Sequence, residues 1–434
     1  MIYRVLAILQ IIIVGYILYK SIKKQGIAMF GDILKIMLFL WLGNIGLYNL
    51  QLSKYYSPTI LINFTVLALC LFIYIAARKF ELVEVDILNV MKFEDGYKSY
   101  KIYSIITTAI FLVALALFLM NINKYGLAIL KEDKINKQRI DHYAGYVIYM
   151  LAFVAQVKYI LFRNRKKIFD GVLFLGSLGI LVLTLNRGPI AYVVITIYIY
   201  ELFKFVKVKK EMSKKKIWAV YGGFLLAIVA FIVFFGYIGD LRMEHVLARK
   251  GITIQEHYGI SNMIPSSLVW IYVYLTSPLE NAAFAIAHQG VGMTFFNNLF
   301  YPFIKLFANL IGQGDAYKQW LLSKGQYTPY LWDKIGLNAP SFIPDAMQDL
   351  GIFGVIIYLG IYVAIGWLAI YAIKKRKHFS SIGALILYAN IVSIVLWSVF
   401  QNSLSIPILI LNILVVIVLE LLIKFLLNKV KMIN

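Results

Sequence analysis

The sequence is poor in the groups from which most catalytic centres are assembled. It has one cysteine, Cys70, set in an apolar run, which leaves no internal disulfide and no thiolate metal site. Its five histidines include no His-x-x-x-His pair, so no two are spaced to hold a metal from one helix face. No glycine-rich loop is followed by Lys-Ser or Lys-Thr, which excludes a P-loop phosphate cradle. Acidic residues number 21 against 43 Lys and Arg, and carboxylates deep within the apolar runs are scarce; Glu201 and Glu420 lie toward run ends. A proton-coupled pump needs more than this. No internal repeat points to an inverted-repeat transporter, and no low-complexity linker separates a second domain. No cleavable signal is expected either, because the first apolar run is followed by Lys20, Lys23 and Lys24 rather than by a small-residue cleavage site.

What the sequence does have is apolar length. It is 61% hydrophobic, and apolar runs of about 18 residues or more recur throughout, the signature of a polytopic membrane protein. Backbone polar groups in lipid must be satisfied within each segment, so the runs read as helices and the fold class as all-α. They cover about 3–19, 31–50, 59–77, 102–120, 143–162, a run ending at Leu185, one restarting at Pro189, then 217–238, 348–373, 382–400 and 406–423. Residues 80–101 read equally as an interfacial amphipathic helix, with Phe80, Val83, Ile87 and Met91 at helical spacing, or as a loop. The net charge of +22 is concentrated in clusters at run ends: Arg78-Lys79, Arg163 to Lys167, Lys204 to Lys216, and Lys374 to Lys377. Placing every cluster on the cytoplasmic side makes the helices alternate without exception, so the charge reflects membrane topology and not a nucleic-acid partner. The N-terminus then falls outside and the C-terminus in the cytoplasm. A single integral membrane domain over 1–434, with about 11 to 12 spans, is expected.

One long segment, 239–346, faces outward in this scheme. Ser267 to Thr276 and Phe295 to Ile311 within it are apolar enough to be half-helices dipping into the membrane. Its aromatic residues, among them Trp270, Tyr272, Tyr274, Trp320, Tyr327, Tyr330 and Trp332, suit sugar stacking and interfacial anchoring alike. Arg187, in the turn Asn186-Arg187-Gly188-Pro189, faces the same side, against the positive-inside bias. It reads as a snorkelling anchor or, with the free amides of the helix that Pro189 starts, as part of an anion site. Arg242 follows Gly239-Asp240, with Asp240 a possible plain ion-pair partner, and Arg249 lies one to two turns further if the helix continues. Guanidinium groups near the headgroup level suit a pyrophosphate, which Arg binds bidentately. Arg187, Arg242 and Arg249 are therefore the candidate substrate-binding residues. For proton transfer the candidates are His245 and His288, with His257 beside them, and the carboxylates Glu244, Glu256, Glu280, Asp345 and Asp349. His245, His288 and Asp349 are the candidate catalytic residues, though each histidine alone also reads as an ordinary loop residue. The short outer stretch Gln51 to Pro58 has no acidic residue, where metal-dependent lipid-linked glycosyltransferases usually carry a carboxylate motif. No metal or other cofactor is expected.

Four stretches together resemble the Wzy-type oligosaccharide repeat-unit polymerases of O-antigen and capsular polysaccharide synthesis. They are Leu185-Asn186-Arg187-Gly188-Pro189, Gly239-Asp240-Leu241-Arg242, Ile271-Tyr272-Val273-Tyr274-Leu275-Thr276-Ser277-Pro278-Leu279-Glu280-Asn281, and Asp349-Leu350-Gly351-Ile352-Phe353-Gly354. The resemblance spans about 170–375 and departs from the family's Arg-to-Gly spacing, Gly259 falling a residue too far from Arg242. It implies transfer of a glycan from undecaprenyl pyrophosphate onto a lipid-linked repeat unit at the outer face of the bacterial inner membrane. It also implies pyrophosphate binding by Arg187 and Arg242, and a flippase and a chain-length regulator as partners. A glycan ligase shares this donor. A lipid-linked oligosaccharide flippase is the rival from another class, and the long outer segment weighs against it.

Overall fold

A computed structural model describes residues 2–93, 96–127, 138–288, 293–324, 329–374 and 379–433. The basic residues 375–377 and the aromatic Tyr327 lie outside them. In chain order the helices are α1 (Ile2–Gln25), α2 (Ile33–Asn49), α3 (Ile60–Lys79), α4 (Glu84–Val90), α5 (Gly96–Tyr125), α6 (His142–Tyr149), α7 (Leu151–Arg165), α8 (Ile168–Leu183) and α9 (Arg187–Val208). There follow α10 (Lys214–Lys250), α11 (Ile254–Tyr258), α12 (Ser266–His288), α13 (Asn297–Leu310), α14 (Gly314–Ser323), α15 (Tyr330–Ile335), α16 (Ile343–Lys374), α17 (Ser381–Trp397) and α18 (Pro407–Ile433). Among the described residues there is no strand, only a lone bridge between Ser341 and Gln401.

Eight of these helices are long and apolar enough to cross a membrane, and Ile33–Asn49, Ile168–Leu183 and Ser381–Trp397 are shorter apolar helices. The chain is therefore an all-α polytopic membrane protein, and every expected span has a helix. Two boundaries differ most from the sequence reading. The helix expected to stop at 238 continues as α10 through Lys250, because its last turns lose hydropathy but keep good helix formers. The half-helix expected over Ser267–Thr276 is the first part of α12, which continues past Pro278 to His288. The ambiguous stretch 80–101 resolves into the short α4 and the start of α5.

The chain divides into two units. The first comprises Met1–Glu81, Val208–Ala364 and Val395–Ser405, the second Leu82–Lys207, Ile365–Ile394 and Ile406–Asn434. In the first, α2 packs between α1 and α3, with α12 against both α2 and α10. Asp32 caps α2 by accepting from the amides of Leu34 and Lys35, and Thr59 caps α3 by accepting from Ile62. Side-chain amides cross the three helices: Asn49 donates to Gln10 (3.0 Å) and Asn63 (2.6 Å), and Asn63 donates back to Asn49 (3.1 Å). Such bonds are worth about 0.6 kcal/mol each between membrane helices, so this ladder fixes register more than stability.

In the second unit α7 packs closely on α5 and α8 around Leu151, Ala152, Ala155 and Leu181. Several of its buried polar groups are matched. Lys158 pairs with Asp170 at 2.9 Å and also donates to Ser104 and Thr108. Glu420 accepts from Tyr103 and Ser380 (both 2.6 Å). Gln156, Asn390 and Asn412 form a second amide chain. Unmatched, each would be costly inside an apolar bundle.

Candidate functional site

The long segment 239–346 lies wholly within the first unit and is mostly helical. Its framework is α12. Tyr272, Thr276 and Glu280 recur every four residues and so share one face of that helix. All three hold the connection between α2 and α3: Tyr272 accepts from the amide of Leu52 (3.0 Å), Thr276 donates to Tyr56 (3.0 Å), and Glu280 accepts from the amide of Ser57 (2.9 Å) and from Tyr48. Glu280 is only 4% exposed, and burial raises its pKa. On the next position Asn281 donates to the carbonyls of Leu337 and Ala339 and accepts from the amide of Leu331, pinning α15 and the chain after it.

α10 meets α12 at close range. A Cβ on Gly239 would stand 2.3 Å from the Trp270 ring, so a larger residue there would force the helices apart. Asp240 accepts from Ser266 and from the Trp270 indole (both 2.8 Å), which makes it a fastener between the two helices. Its sequence neighbour Arg242 is thus not needed to account for it.

The second polar centre surrounds a break in α16. Leu350 (φ −146°, ψ 26°) and Gly351 (φ 62°, ψ −147°) leave helical geometry, and Gly351 takes a conformation open essentially to glycine alone. The break lets Asp349 turn toward α13. Its carboxylate accepts from the amides of Asn298 (3.0 Å) and Leu299 (3.1 Å), from the Thr294 hydroxyl and from Tyr358. This is an N-cap supplied from another helix, since amides in the first turn of α13 have no partner of their own. The backbone is stitched here too: Thr294 and Phe295 donate to the carbonyls of Gln348 and Asp349 (3.0 and 3.2 Å). Asn298 adds bonds to the Asp345 carbonyl and to Gln348. One turn before Asp349, Asp345 is half-buried and takes a hydrogen bond from Asn402.

The sequence candidates fare differently. Asp349 is 0% exposed, with its carboxylate oxygens fully engaged, so its place is that of an anchor. Asp345 is the more available carboxylate of the pair, and nothing in the sequence separated the two. His257, in α11, is 7% exposed, lies 3.3 Å from the Ile335 carbonyl, and has its pKa lowered by burial. Glu256 closes a capping box with Thr253. Arg249 is exposed in the last turn of α10. Arg242 and His245 sit on α10, His288 ends α12 and Arg187 opens α9; the side chains of these four lie outside the described part of the structure. Arg187 belongs to the second unit, the other candidates to the first. At the start of α9 the Gly188 amide is already met by the Asn186 side chain (3.4 Å), so it is not among the free donors expected there.

Among the described residues no group of three or more His, Cys, Asp or Glu side chains is arranged to hold a metal ion. No family model, curated protein or solved structure matches the chain.

Proposed function

We propose that the chain is an oligosaccharide repeat-unit polymerase of the Wzy type, acting at the outer face of the bacterial cytoplasmic membrane. One observation supports this most. Two of the family-like stretches, 271–281 and 349–354, supply the residues that organise the long segment: Tyr272, Thr276, Glu280 and Asn281 fasten its framework, and Asp349 and Gly351 make the break in α16. The break leaves two carboxylates in unlike surroundings, one saturated and one half-buried with fewer partners, the pattern from which an acid–base role is assigned.

In this reading Asp345 is the general base. A hydroxyl of the acceptor repeat unit attacks the anomeric carbon of the donor glycan, and its proton passes to the Asp345 carboxylate. The bond from that carbon to the pyrophosphate oxygen breaks, and undecaprenyl pyrophosphate leaves with the electron pair. Arg242 and Arg249, on the last turns of α10, bind the pyrophosphate and neutralise its charge.

The test is polymer formation by purified protein from defined lipid-linked repeat units, at matched protein levels. Asp345→Asn should lower the rate about a hundredfold or more, the usual contribution of a general base. Arg242→Ala should cost about 2 to 4 kcal/mol of transition-state stabilisation, again roughly a hundredfold or more. Wild-type rates in both variants would overturn this assignment of the site. The helix break itself favours a second reading, since discontinuous helices line the substrate sites of transporters. A strain lacking the protein separates the two. Single lipid-linked units gathering at the outer face support a polymerase; units held at the cytoplasmic face mean a flippase.

A further inference from the structure

α13 is a helix with no place among the spans, and one side of it is uncovered. Phe300, Phe303, Phe307 and Leu310 follow one another at intervals of three and four, so they share a face, and all four are exposed, Phe307 at 64% and Leu310 at 70%. Leu306 and Ile311 widen the stripe. The opposite side is polar: Asn298, Tyr301, Lys305 and Asn309, with the Lys305 ammonium over the Tyr301 ring at 5.3 Å. A face this apolar in water would carry a cost of about 1.5 to 3 kcal/mol for each large side chain. Something must cover it.

The stitching at the break in α16 shows what. The N-terminus of α13 is held by the Asp349 carboxylate, and the chain entering it by the carbonyls of Gln348 and Asp349. These residues belong to a membrane-crossing helix, Ile343–Lys374. Directly after the break, Ile352, Phe353 and Ile356 of that helix are themselves exposed, Phe353 at 71%, as a lipid-facing surface is. Phe295, 69% exposed, lies between the two and donates its backbone amide to the Asp349 carbonyl. The uncovered stripe of α13 therefore begins where the lipid-facing surface of a span begins.

We propose that α13 is an interfacial helix, embedded along its Phe300–Phe303–Phe307–Leu310 stripe in the acyl boundary of one leaflet, with Tyr301 and Lys305 toward the headgroups. It thereby holds the polar centre at Asp345 and Asp349 at the level where a lipid headgroup lies. The proposal stands independently of the chemistry assigned to that centre.

Nitroxide accessibility on the full chain in lipid nanodiscs tests it. The one native cysteine, Cys70, is buried, so Cys70→Ala gives a clean background. Spin labels go at Phe303→Cys, Phe307→Cys and Leu310→Cys, with Lys318→Cys on the exposed side of α14 as the aqueous reference. All four positions are at the surface, so folding is spared. At 303, 307 and 310 oxygen should relax the label several-fold more strongly than a water-soluble nickel chelate, and at 318 the order should reverse. Nickel accessibility at 303, 307 and 310 equal to that at 318 would overturn the proposal. So would protection from both reagents, which would mean that protein covers the stripe.

Discussion

Asp345 and Asp349 differ by one helical turn in sequence and by nearly everything in surroundings. Asp349 gathers two amides and two hydroxyls and is closed to solvent; Asp345 is half-buried with an amide at its carboxylate. Removing a buried acceptor strands its donors at about 1 to 3 kcal/mol apiece. Asp349→Ala should therefore reduce the amount of folded protein and lower the melting temperature in detergent, whatever the activity. Asp345→Ala should melt like the wild type and lose activity. Equal melting of the two variants would show that Asp349 is not an anchor. Both residues were visible in the sequence as carboxylates near an outward helix start. Their division of labour was not, because the partners of Asp349 lie about fifty positions earlier, at Thr294, Asn298 and Leu299. Spacing along a chain carries no sign of such a pairing. The same holds for Glu280, a plausible base by residue type, which the fold spends on the Tyr48 hydroxyl and the Ser57 amide.

At the scale of elements, the glycines after the break in α16 invite a reading as a small-residue seam for a neighbouring helix, Gly351, Gly354 and Gly360 lying on related positions. The geometry gives another cause. A Cβ on Gly354 would stand 1.8 Å from the Ala346 carbonyl oxygen, in the turn before the break of the same helix, and Gly360 has nothing within 4 Å. Gly354 is thus required by the break, and Gly360 by nothing adjacent. Gly354→Ala should abolish or sharply reduce folded protein, since backbone and not a yielding side chain is in the way. Gly360→Ala should be neutral or slightly stabilising, alanine being the better helix former by about 1 kcal/mol. Size-exclusion profiles of the two variants decide this, and a normal Gly354→Ala profile would mean that the break is not held. Helix ends show a related limit of sequence reading. Apolar length marks where lipid ends, and α10 runs on through Arg242 and Arg249 because its backbone has no reason to stop there. Pro278 suggests a terminus within α12, yet the helix persists because Thr276, Glu280 and Asn281 are tied down on both sides of it.

For the whole molecule, the spans were the most legible feature, since a bilayer forces long apolar helices and leaves few alternatives. Their direction across the membrane is a separate matter that rests on charge. The stretch from Lys204 to Lys216 carries the largest basic cluster of the chain and joins the end of α9 to the start of α10, whereas α11 to α15 follow the far end of α10. Long loops translocate regardless of scattered charge, and short basic ones are retained. The 209–213 turn should therefore face the cytoplasm and α14 the outside. Cysteines placed at Ser213 and Ser323 report on this, with the buried Cys70 giving little background to a membrane-impermeant maleimide. Ser213 caps α10 by accepting from the Lys216 amide, so Met212, one residue earlier, is the alternative site should the Ser213→Cys protein be poorly made. In intact cells Ser323→Cys should label and Ser213→Cys should label only after the membrane is opened. Labelling at 213 alone would invert the orientation and put the Asp345 centre on the cytoplasmic side, where no outward-displayed lipid-linked donor could reach it. Labelling of both in intact cells would break the alternation of charge on which the N-terminus-outside arrangement depends.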